Sequence, residues 1–162
     1  GMGKETLLKQ SRSVGADDLK DHDVILLGSV YANQWSKPLS IKENFIYSNR
    51  ASIENLSPQA GEAREYSARF DQRTGALLED YALITVVPGV SGSNTIMFLS
   101  GIYSEGTQAA AEYVTDQNHL LELNQRLAQG KTAKPRYFQA LLKVRVENSF
   151  PTQITLLTVR EL

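Results

Sequence analysis

Two groups of residues in this 162-residue chain have the types and spacing to hold a small ligand. In the first, Gly28 and Ser29 close an apolar run and are followed by Asn33 and Trp35. In the second, Gly101 closes another apolar run, and Ser104, Glu105, Gly106 and Thr107 open an alanine-rich stretch. Glycine lets a backbone approach a ligand closely, hydroxyl and amide side chains hydrogen-bond it, and Trp35 or Tyr103 offers a flat ring for stacking. Where a strand runs into a helix start, unpaired N–H groups add a polar rim. Glu105 disfavours a phosphate there, because its carboxylate already occupies the field of the helix dipole. A neutral or sugar-like ligand suits it better, with Glu105 the weak candidate for acid or base. The same residues also have plain structural uses: Ser and Thr cap helices, glycines end strands, and Trp fills cores.

Other sequences that imitate catalytic motifs lack an essential part. Gly130-Lys131-Thr132 resembles the end of a phosphate-binding loop, but Gln125 stands where glycine is needed and a helical pattern precedes it. Gly89-Val90-Ser91-Gly92-Ser93 resembles a nucleophile elbow, yet its last position is serine and a strand pattern follows. The absence of cysteine excludes thiolate chemistry and disulfides, and His22 and His119 are not spaced as metal ligands. No cofactor and no metal is expected. Lys131, Lys134, Arg136, Lys143 and Arg145 read as a solvated face, with an anion patch as the competing reading.

The elements that position these residues follow from periodicity. Residues 1–22 read as a linker or frayed helix, and 23–162 as a single α/β domain. Unbroken apolar runs at 24–27, 81–87 and 96–99 predict central strands buried on both faces. Short strands are expected at 45–47 and 51–53, and alternation over 64–70 predicts one half-exposed strand with Tyr66, Ala68 and Phe70 on one face and Glu65, Ser67 and Arg69 on the other. The spacing predicts helices over 106–115 and 117–128, the second with Leu120, Leu123 and Leu127 on one stripe. Residues 137–147 alternate, with Gln139, Lys143 and Arg145 outward, and pair through a turn at 148–151 with a last strand at 154–160. The strands ending at Val87 and starting at Thr95 are too close for a crossover and are expected to be antiparallel. The sum is a mixed, Rossmann-like α/β sheet with helices on its faces; a layered α+β sheet is the alternative. If the runs at 24–27 and 96–99 are parallel neighbours, their loops meet at one carboxyl edge.

With 17 basic and 18 acidic residues the net charge is -1, so no general field draws nucleic acid or an anionic membrane. No run of apolar residues is long enough for a membrane span, and a cytoplasmic protein is expected. Hydrophobic content of 41% suits an ordinary globular core.

The pattern Leu27-Gly28-Ser29, Asn33-Gln34-Trp35, Phe45, Gly61-Glu62, Tyr66, Tyr81 to Ile84, Pro88, Gly101 and Gly106 to Ala110 resembles an uncharacterised group of bacterial domains. This chain has Gln34 where the group has proline, and Gly89 where it has asparagine. Some members look like C-terminal modules behind DNA-binding or regulatory regions. The resemblance implies a sensory or interaction role in a regulatory protein; taken with the two loops above it points to a small-molecule-binding or sensory module, and the charge balance argues against direct nucleic-acid contact by this domain. Two alternatives stand beside it: an enzyme acting on a nucleoside or sugar through Glu105, and a protein interaction or dimerisation module whose contact, a homodimer among them, is an edge strand such as 154–160.

Overall fold

The computed structural model describes residues 6–28, 42–49, 51–132 and 135–162. In chain order these form α1 (Ala16–Asp21), β1 (Val24–Leu27), β2 (Phe45–Ser48), β3 (Ser52–Asn55), β4 (Glu65–Ser67), β5 (Arg69–Phe70), β6 (Leu77–Pro88), β7 (Thr95–Gly101), α2 (Ser104–Thr115), α3 (Gln117–Ala128), β8 (Phe138–Glu147) and β9 (Phe150–Glu161). The large sheet has the order β1-β7-β6-β8-β9, and β2-β3-β4 form a second, smaller sheet. β7 leaves the large sheet at Gly101, opposite Ala82, and β5 takes its place beside the first residues of β6.

Side chains alternate across a strand, so β6 and β8 each serve two cores. Ala82, Ile84, Val86, Ala140, Leu142 and Val144 pack on Ala109, Ala110 and Tyr113 of α2 and on Leu123 and Leu127 of α3. The small alanines let α2 lie close to the sheet. Tyr81, Leu83 and Leu141 face the other way, onto Phe45 and Ile53 of the small sheet. Full burial of each large aliphatic side chain contributes about 1.5–3 kcal/mol. Helices, large sheet and small sheet thus make three layers.

Three polar contacts fix the small sheet in place. Gln139 is fully buried. Its Oε1 accepts from the N–H groups of Asn44 and Phe45, both at 2.9 Å, while its Nε2 donates to Phe45 O and Thr85 Oγ1. One side-chain amide therefore pairs with the β2 backbone as a neighbouring strand would. Arg160 pairs with Glu62, and Tyr47 Oη donates to Ser100 Oγ at 2.8 Å. Burial alone would raise the Glu62 carboxyl, but the Gln59 N–H, Thr158 hydroxyl, Arg160 guanidinium and Asn55 amide hold it down to about 2.

The mixed sheet matches the expected class, and β6 and β7 are antiparallel as expected. A doubly wound, Rossmann-like layering is not what the sheet displays. Among the described residues only β1/β7 is parallel, α2 and α3 pack the same face, and strands cover the other. β1 is an edge rather than a central strand. Val24 and Leu26 join Ile96 and Phe98 in the core, but Ile25 and Leu27 are 63% and 54% exposed because no described element covers that side. The run at 64–70 is two strands, since the chain bends at Ala68 to pass from the small sheet to the large one. Gln139 points inward, because the face read as solvated is roofed by β2 at that level. Lys143 and Arg145, further along, do lie on the outer surface.

At the front of the domain, Asn94 Nδ2 donates to the carbonyls of Leu19 and His22, tying α1 to the loop between β6 and β7. Leu19 is buried there. No helix among the described residues is long and apolar enough to cross a membrane.

Candidate functional site

The two strand ends expected to converge do so. β1 and β7 run parallel with Leu27 opposite Leu99, and the Gly28 N–H donates to Leu99 O at 3.0 Å. Gly28 has φ 109°, a conformation that L side chains rarely adopt, which accounts for glycine where the chain leaves β1. Ser29, Asn33 and Trp35 lie outside the described residues.

From β7 the chain turns through Ile102 and Tyr103 into α2. Thr107 Oγ1 accepts from the Gly101 N–H at 2.9 Å, which folds the helix start back onto the strand end. The contact is close enough to require glycine on both sides. A Cβ at Gly101 would stand 2.4 Å from Thr107 N; one at Gly106 would stand 2.5 Å from Asp80 Oδ2 and 2.9 Å from Gly101 Cα. The space left by Gly106 is thus filled by the protein itself.

Asp80, a residue the sequence patterns do not single out, organises this corner. It is fully buried on β6. Its Oδ2 accepts from the N–H groups of Gly106 and Tyr103 at 2.7 and 3.1 Å, and its Oδ1 from Tyr81 N–H at 2.8 Å. A carboxylate from the sheet thereby occupies the anion position at the start of α2, where the unsatisfied N–H groups and the dipole favour negative charge. Burial pushes its carboxyl up to about 6 despite these three donors, and nearby Glu105 adds to the rise. The signal in the sequence is the acidic pair Glu79-Asp80 at the head of an apolar strand, where a charge must find donors or remain costly.

With Gly106 N–H taken by Asp80, Ser104 and Glu105 are the side chains this corner presents outward. Ser104 is exposed, Glu105 is half-buried, and Ser104 Oγ donates to Glu105 Oε2 at 2.9 Å. The helix start already carries two carboxylates, so it is built for hydroxyl or N–H donors and against a further anion. Tyr103, instead of standing free for stacking, meets Phe70 edge-on at 5.3 Å.

The remaining candidates have structural roles. Ser91 Oγ lies 2.9 Å from Lys20 O, to which it donates, and 3.1 Å from Asn94 Oδ1, as a turn residue would. Gly130 N–H closes the end of α3 on Leu127 O. His119 stacks on Tyr113 at 4.4 Å with Nδ1 3.6 Å from Asp116 Oδ1. Among the described residues no group of His, Cys, Asp and Glu is placed to hold a metal ion.

No family model, curated protein or solved structure matches the chain.

Proposed function

We propose that the chain is a small-molecule-binding, sensory module of a cytoplasmic bacterial regulatory protein, with its ligand at the carboxyl end of β1 and β7. The observation that supports it best is the parallel register of those strands, which puts Gly28 and the start of α2 at the same end of the sheet. Crevices at such strand ends are where open sheets with helices bind ligands. Ser104 and Glu105 would meet the hydroxyl or N–H groups of a neutral or sugar-like molecule, with Gly28 at the same end of the sheet and Ser29, Asn33 and Trp35 the further candidates from the sequence; Gly106 and Thr107 serve the fold instead, through Asp80 and Gly101. A thermal-shift screen against sugars, nucleosides and other neutral metabolites tests this. At least one compound is expected to raise the melting temperature, and Ser104→Ala with Glu105→Gln should abolish the shift. A complete absence of stabilisation across the screen would contradict it.

Two readings stand behind this one. An enzyme acting on a nucleoside or sugar is favoured by Glu105 lying beside the raised carboxyl of Asp80. Turnover that survives Glu105→Gln would remove it. A homodimer is favoured by β9, which ends the sheet order and is twelve residues long.

A further inference from the structure

A trough of about 610 Å³ lies on the opposite face of the large sheet from the start of α2, outside the site proposed above. Successive residues of β6 alternate between faces: Asp80 turns to α2, while Glu79 turns to the trough. Its floor is the part of the sheet that β2, β3 and β4 leave uncovered, beyond the contact of Tyr66 with Tyr81. Four strands furnish it, with Arg69 from β5, Glu79 from β6, Lys143 and Arg145 from β8, and Gln153 and Thr155 from β9.

We propose that this trough binds a small multivalent oxyanion, a metabolite bearing phosphate or carboxylate groups, on Arg145, Lys143 and Arg69. The charges are unequal. Glu79 faces two cations, with Lys143 Nζ at 3.0 Å and Arg69 Nη2 at 3.9 Å. The Tyr81 hydroxyl also donates to it, at 2.9 Å. Arg145 is 66% exposed, and its partner Glu147, 56% exposed, lies 3.2 Å away on the same strand. An exposed pair of this kind is worth little, so Arg145 can turn to a ligand at low cost. Three cations against two carboxylates leave excess positive charge inside a concavity, and low-dielectric walls concentrate its field. Gln153 and Thr155 add neutral hydrogen-bonding groups beside the cations. The volume suits a metabolite. A chain of net charge -1 lacks the broad basic surface that a nucleic acid would need.

The test is calorimetric titration of the whole chain with pyrophosphate and, separately, citrate at low ionic strength. Saturable binding of at least one, near one per chain, is expected, and the tighter of the two identifies the oxyanion. Arg145→Ala and Arg69→Ala should each weaken it about tenfold, the loss of one charge-assisted contact. Glu147→Gln should tighten it, and added salt should weaken it. Ser104→Ala should leave it unchanged, which separates this site from the start of α2. Both arginines are largely exposed, so these variants keep the fold, and circular dichroism checks that. Absence of saturable binding for both anions, or binding that persists at full strength in Arg145→Ala and Arg69→Ala, would overturn the proposal.

Discussion

Asp80 carries the clearest consequence at the scale of single residues. Its carboxyl, raised from 3.8 to about 6 mainly by burial, binds its proton more tightly in the folded than in the unfolded chain. Its contribution to stability is therefore fully present below 3.8 and is lost as pH rises through 6, a change on the order of 3 kcal/mol. Glu62 acts in the opposite sense: held at about 2, it stabilises above its ordinary 4.5 and loses that contribution as pH falls toward 2. Asp80→Asn should remove the fall in melting temperature from pH 4 to 6 and leave the rise that Glu62 contributes, as measured by thermal denaturation across that range; a variant that keeps the wild-type slope would assign the titration elsewhere. Gly106→Val forces a side chain into Asp80 and Gly101, so it should cost at least about 2 kcal/mol in chemical denaturation rather than act on ligand alone. Gln139→Leu keeps the volume but strands the Asn44 and Phe45 N–H groups, with an expected loss of about 2–4 kcal/mol.

Elements were legible in the sequence where a single periodicity governed them. α2 and α3 begin and end within two residues of the expected bounds, since Leu123 and Leu127 mark the buried stripe, from which the expected Leu120 falls outside as an exposed residue, and Asp116 accepts from the Asn118 and His119 N–H groups as an N-cap. The β8/β9 pairing was readable, but the turn is tighter than expected: β9 begins at Phe150 and takes in Pro151, four residues before the expected start at 154. The turn residues Asn148 and Ser149 take φ 52° and 63°, the pattern of a type I′ turn. Ser149→Gly should therefore raise stability by up to about 1 kcal/mol, measured by denaturant titration; a loss would show that the Ser149 side chain itself holds the turn. What the sequence hid was tertiary. An apolar run without alternation, such as Val24 to Leu27, looks the same at an edge as at a centre. Gln139, a polar residue on an alternating strand, reads as solvated until a second sheet covers it. Asp80 was invisible for a related reason: the helix start it caps lies far along the chain from it, and no local spacing encodes that meeting.

Across the whole molecule, the large sheet ends, among the described strands, at β1 and β9. β9 is guarded by Pro151 and by register shifts that leave Thr152 and Leu157 without partners, features that twist an edge away from strand addition. Pairing of two copies would have to use the short stretch between those bulges, and sedimentation of Thr155→Pro against the wild type would reveal it as a loss of dimer. The proposed ligand site concerns the opposite side of the sheet, where β1 and β7 end together. Backbone amide NMR during titration with a stabilising neutral metabolite tests it most directly. Saturable shifts are expected to concentrate at Gly28, Gly101, Ser104 and Glu105. Shifts confined instead to the trough around Lys143 and Arg145, or none that saturate, would contradict a binding site at the shared end of β1 and β7.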